Sequence, residues 1–356
     1  MKKSYLIAAG IVLCAIIVVL ILAIPSKDES IRLAKSVKFK LEKTFGAESS
    51  PKEALLTRVY TMETDNKGNL YLINGGKILS FAQDGTLRWS INKKGEGPGD
   101  LENICGLTTD GNNYLYVSNV NGSRIDKFNL DGQFLNSFTL SQLHLNFTSI
   151  IGFIQPNLLV ISQTLMGKVA SEIIILETDN SYKIRNRFIV DKTAGLKLSP
   201  NTALGFSSGI IGNRIACGSL TSYELTFYDT EGKEVQKITK KVKNLILGYA
   251  FENGCGIAGD LTVPYKIAGS YYISYLNYPH NVTEQSQLHK KEFKKEYATV
   301  IDIFNDKGIL IYSDKKEGND NSEIGKPIYS DLEGYLYTFK ELPYPQICKY
   351  KVTIEE

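Results

Sequence analysis

The chain has 356 residues, 43% apolar and 22% charged, with 41 basic against 38 acidic side chains. This apolar fraction excludes a disordered chain, and the near-neutral balance with scattered lysines excludes a nucleic-acid groove; Lys290-Lys291 with Lys294-Lys295 reads as a solvated face. The length suits one large repeat domain or two smaller ones.

At the N-terminus, Lys2-Lys3 precede an uncharged stretch from Tyr5 to Ile24, which ends in Pro25 and a polar run. A helix over 5–24 would rise about 30 Å, the thickness of a bilayer's hydrocarbon core. Signal-peptide cores are usually shorter, about 7–15 residues, and Ile21-Leu22-Ala23 is a poor small-x-small cleavage site. The expectation is a short cytoplasmic segment 1–4, a retained single-pass anchor 5–24, a linker 25–36 and one domain over 37–356. The lysines before the anchor orient it with the bulk of the chain outside, on the periplasmic side of an inner membrane.

Beyond the linker, residues 37–45, VKFKLEKTF, read as a strand. Two elements then alternate. One is a Gly/Asn turn feeding an apolar strand: GNLYLI (68–73), NNYLYVS (112–118), PNLLVIS (156–162), GNRIACG (212–218), AGSYYIS (268–274) and EGYLYTF (333–339). The other is an aromatic, two variable residues, a polar residue and glycine: Phe81 to Gly85, Phe128 to Gly132, Tyr228 to Gly232 and Phe304 to Gly308, with a degenerate copy from Leu176 to Asn180. Such glycines meet the positive φ of a hairpin turn. Between the first two repeats, GEGPGDL (95–101) lacks the lysine and following helix of a phosphate loop and reads as a connector.

Strand-rich repeats of about 40 to 60 residues without helical periodicity predict an all-β, six-bladed β-propeller. Six strand starts meet only five turns, because the chain ends after CKYKVTI (348–354). The unmatched strand 37–45 is then expected to complete the sixth blade and close the ring by pairing the two ends.

Residues 95–138 resemble an NHL repeat through Gly95, Gly97, Gly99, Asp110, Tyr116, Val117, Arg124, Ile125, Phe128, Asp131 and Gly132, with Ser118-Asn119 where Ala-Asp is usual. With its hydrophobic N-terminus and loosened later repeats, the chain is similar to the six-bladed β-propeller proteins of the NHL-like type common in Bacteroidetes. The resemblance implies a propeller and two classes of function. The first is a non-enzymatic recognition or scaffold module binding a protein, peptide or glycan at one face, without a cofactor or nucleic acid. The second is a lactonase-like hydrolase or lyase with Ca²⁺ in the central channel. Ca²⁺ takes six to eight oxygen ligands, and Glu63, Asn119 and Asp260, with Asp65, are the candidates at the channel ends of inner strands. The three histidines, His144, His280 and His289, stand at unrelated repeat positions and argue against a histidine-based site.

GSYYISYLNYPHN (269–281) is dense in tyrosine, and strand alternation sets Tyr271 and Tyr275 on one face and Tyr272, Tyr278 and His280 on the other. Tyr271, Tyr275, Tyr278 and His280 are the candidate ligand or partner surface, against the plainer expectation of inter-blade packing. The polar stretch 280–296 reads as a loop inserted between two strands of that blade. Cys105, Cys217, Cys255 and Cys348 are widely spaced with no C-x-x-C pair and read as buried thiols.

Overall fold

A computed structural model describes residues 34–355 apart from 47–49, 146–147, 180–181, 192–205, 252–253, 291 and 319–322. The expected anchor 5–24 and the end of the degenerate turn at Asn180 lie outside the described residues. Six of the seven described sheets follow one another in the order expected of a six-bladed propeller, each running from an inner to an outer strand, and the seventh is a two-stranded ribbon, Gly248–Phe251 with Gly254–Ile257, between blades four and five in the chain. Blade one spans Val59–Thr64 to Leu87–Ile91, blade two Gly106–Thr109 to Phe134–Thr139 and blade three Thr148–Ile154 to Lys183–Asp191. Blade four spans Ser208–Ile211 to Glu234–Lys240 and blade five Asp260–Leu261 to Leu310–Glu317. Blade six holds Lys326–Ser330, Leu336–Lys340 and Gln346–Glu355, and its outer strand is the N-terminal Ser36–Phe45. The ends pair antiparallel from Ser36 opposite Glu355 to Phe45 opposite Ile347. Among the described residues, helix is confined to three short 3-10 turns.

Burial follows position in the blade. Second strands such as Leu70–Asn74 are buried throughout, because neighbouring blades cover both faces, which is why they read as continuous apolar runs. Outer strands such as Lys183–Asp191 alternate, with one face wet. Six apolar layers fill the six inter-blade spaces; the layer between blades six and one, for example, joins Leu70 and Phe81 of blade one to Phe45, Tyr337 and Ile347 of blade six.

The hairpin glycines behave as their motif requires: Gly85, Gly132, Gly232 and Gly308 have φ between 79° and 90°. The residue that organises three of these turns, however, stands directly after the aromatic. Asn129, Asp229 and Asn305 each accept two backbone N–H bonds, from the second and fourth residues on, at 2.8–3.1 Å. In blade one Ala82 holds that position, and Asp84 caps Thr86 instead at 2.9 Å.

The GEGPGDL segment crosses from the outer strand of blade one to the inner strand of blade two, as a connector should. Leu101 is buried in the layer beneath it, and the Arg124 guanidinium donates to the carbonyls of Glu96 (2.6 Å), Gly97 and Asp100 (both 3.3 Å). The insertion 280–296 is not solvated throughout its described residues. It carries a 3-10 turn, Gln285–His289, capped by Glu284 and Gln287, and buries Val282 and Leu288 against Ala258. Cys348 is buried as expected, whereas Cys105 is exposed.

Candidate functional site: the central channel

The inner strands of the six blades surround a cavity of about 750 Å³. Along Val59–Thr64, alternation sends Thr61 and Glu63 towards the cavity and Met62 into the blade interface, where it is buried. The inner path of blade five is broken. Asp260 stands opposite Asn277 and Tyr265 opposite Ile273, so one extra residue intervenes, and Pro264, lacking an N–H, sits in the break. Residues five apart would ordinarily face opposite ways; the break lets Asp260 and Tyr265 both line the cavity. Blade six adds Lys326 and Tyr329, with an irregularity between Pro327 and Tyr329.

Several of these groups satisfy one another. Thr108 donates to Glu63 Oε1 at 3.4 Å and the Tyr329 hydroxyl also bonds the carboxyl, while Tyr329 and Thr64 hydroxyls lie 3.1 Å apart. Burial pushes the Glu63 pKa up to about 8, offset only in part by the hydrogen bonds from Tyr329 and Thr108. At neutral pH Glu63 is therefore mainly a neutral acid, able to donate as well as accept. Burial, and then the charges of Asp260 and Glu63, raise the pKa of Tyr265; burial and then Glu63 do the same to Tyr329. Both phenols stay protonated. Asp260 forms an ion pair with Lys326 across the blade five to six boundary.

Glu63 and Asp260 thus line the cavity, but Asn119 does not. It is fully buried at the end of a second strand, where its Oδ1 accepts from Glu102 N (2.8 Å) and Val120 N (2.9 Å). Its Nδ2 donates to Asp100 O (2.7 Å) and Asp126 Oδ2 (2.6 Å). Its capacity is spent on the connector, on Val120 and on Asp126, so the three expected Ca²⁺ ligands do not converge and the set does not fit that ion. Asp65 is spent likewise on Lys67 N, Asn69 N and the Tyr71 hydroxyl. Among the described residues no group of three or more His, Cys, Asp or Glu side chains has a metal-holding arrangement.

The tyrosines of blade five are divided between two layers as alternation requires. Tyr275 packs with Ile273 and Ile301 towards blade six, with Tyr271 beside them; Tyr272 and Tyr278 pack with Leu276 towards blade four. Tyr275 and Tyr278 are 6% and 4% exposed, so they fill blade interfaces rather than form an open ligand surface. His280 is half-buried, its backbone N–H donating to Glu296 O at the root of the insertion.

Tyr265, Tyr329 and Lys326 escape sequence reading because a proline and a strand irregularity break the alternation that would have marked them. A second signal was legible in retrospect. DNKGNLY (65–71), DGNNYLY (110–116) and DLEGYLY (331–337) place an aspartate six residues before a buried tyrosine, and in blades one and two an asparagine follows three residues later. Asn74 repeats the role of Asn119, accepting from Thr57 N (2.8 Å) and donating to Leu55 O (3.0 Å).

No family model matches the chain, and no curated protein matches it. Among solved structures it is similar to a member of the DUF4221 family from Bacteroides vulgatus, at 14% identity and a TM-score of 0.57, over 89% of this chain and 99% of that one. It is also similar to a Bacteroides fragilis protein provisionally described as exported, at 10% identity and a TM-score of 0.56, over 92% and 98%. At these identities the likeness establishes the shared propeller fold.

Proposed function

We propose that this chain is a non-enzymatic recognition module: a propeller of the NHL-like type, tethered through residues 5–24 on the periplasmic side of the inner membrane, that binds a protein, peptide or glycan. The observation that carries the reading is the state of the cavity's polar groups. Glu63 is held by two hydroxyls and Asp260 by Lys326. Binding without conversion asks for a shaped cavity with a few placed hydrogen-bonding groups, whereas catalysis needs groups that gain most of their interaction in the transition state.

The alternative, a hydrolase or lyase with central Ca²⁺, has one favourable observation, the raised pKa of Glu63, which suits a general acid near neutral pH. Its ligand set is unfavourable, since Asn119 is committed elsewhere. Thermal unfolding of the full chain with excess Ca²⁺ and with chelator separates the two. A native-state ligand at a hundred times its Kd adds about 2.7 kcal/mol. The expected result is an unmoved midpoint; a rise of several degrees in Ca²⁺ would put the hydrolase first. For the location, protease added to intact spheroplasts should digest the propeller while cytoplasmic markers survive, and a protected propeller would refute it.

A further inference from the structure

The cavity is two-sided. Blades three and four contribute Ile151, Phe153 and Ile210, an apolar wall braced where Phe153 stacks on Tyr116 with centroids 5.5 Å apart and planes within 17°. Facing it, blades one, five and six contribute the Glu63 carboxyl and the Tyr265 and Tyr329 hydroxyls, with Thr61 and Thr108 beside them. Two of the cavity's acids are already matched, Asp260 by Lys326 and Asp331 by Lys349 at 3.3 Å, and the other charged lining residues, Lys266 and Glu333, are exposed. Beyond those exposed side chains, a charged ligand would have to break one of the two pairs to find a partner, which costs more than a neutral ligand's entry. The volume, about 750 Å³, falls in the range of small-molecule sites.

A pyranose ring combines the features that such walls select. Its faces present C–H groups that pack on aromatic and aliphatic side chains, and its edge presents hydroxyls that both donate and accept. We infer that the central cavity is a binding site for a neutral saccharide of one or two rings, its C–H face against Phe153 and Ile210 and its hydroxyl edge towards Glu63, Tyr265 and Tyr329. This deepens the recognition-module reading and rests on it.

The test is calorimetric titration of the purified full chain with methyl glucoside, methyl mannoside, N-acetylglucosamine and cellobiose. Glucuronate, glucose 6-phosphate and phenylalanyl-glycine amide serve as comparison probes, and every probe is recovered and analysed. At least one neutral sugar should bind and be recovered intact. Its affinity should fall tenfold or more in Tyr265→Phe and Glu63→Ala and persist in Glu63→Gln, whose amide can still donate and accept. Tyr265→Phe removes a single oxygen, and melting curves of all variants verify folding. Binding by none of the sugars, or sugar binding unchanged in both Tyr265→Phe and Glu63→Ala, overturns the assignment. If only the charged or peptide probes bind, the saccharide class falls while the recognition reading stands. A sugar that binds but returns cleaved or altered sinks the non-enzymatic reading and leaves the cavity as the site.

Discussion

Glu63 shows how one residue's surroundings set its chemistry. Its carboxyl titrates near pH 8 instead of the ordinary 4.5 because burial disfavours the charged form more than two hydroxyl hydrogen bonds favour it. Between those two values the folded state binds a proton that the unfolded chain has released. Its contribution to stability is therefore full below pH 4.5, declines as pH rises through the window, and is lost above about 8. Glu63→Gln has no proton to lose. Its stability relative to wild type should rise by about 1 kcal/mol per pH unit across the window and level off above it. Urea midpoints at pH 5, 7 and 9 measure this, and parallel curves for the two proteins would contradict it.

Elements here are joined by small residues at enforced contacts as much as by strand ladders. The loop after the second strand of blade two reaches the inner strand of blade three at Gly122, whose carbonyl accepts from Thr148 N (3.0 Å) and Thr148 Oγ1 (2.9 Å). Gly122 has φ +73°, and a Cβ there would stand 2.0 Å from the Thr148 carbonyl oxygen. Backbone cannot yield as a flexible side chain can, so Gly122→Ala should cost about 3 kcal/mol or more. Gly76→Ala is the control: it has φ +90° but open space, and should lose only about 1 kcal/mol. Denaturant melts of the pair decide this; equal losses would mean that φ alone accounts for the effect. The asparagines that clamp the connectors, Asn74 and Asn119, are the polar counterpart of such contacts, each satisfying backbone groups of the segment that enters its own blade.

For the whole molecule, the decisive pairing joins residues more than 300 apart, Ser36 to Glu355. It supplies the fourth strand of blade six and covers the edge that Gln346–Glu355 would otherwise expose. Phe45 also enters the layer between blades six and one. Removing residues 34–45 should therefore lower the melting midpoint by ten degrees or more and promote association through the uncovered strand. Size-exclusion chromatography and calorimetry would show it, and a monomer melting like the full chain would refute ring closure as the source of stability.

What the sequence by itself determined was the repeat. Turn glycines and apolar second strands are local requirements, each met within a few residues, so the six-bladed architecture and the role of the unmatched N-terminal strand could be read in one dimension. The functional cavity could not. Its walls come from one short inner strand of every blade, where direction depends on the break at Pro264 and the irregularity before Tyr329, and its electrostatics depend on partners more than 60 residues apart, such as Asp260 with Lys326. Glu63 and Asp260 were legible as polar residues at inner strands. Whether Asn119 would join them was decided only when folding brought the connector's backbone N–H and carbonyl groups to its side chain, because a buried backbone group left unpaired costs about 1–3 kcal/mol.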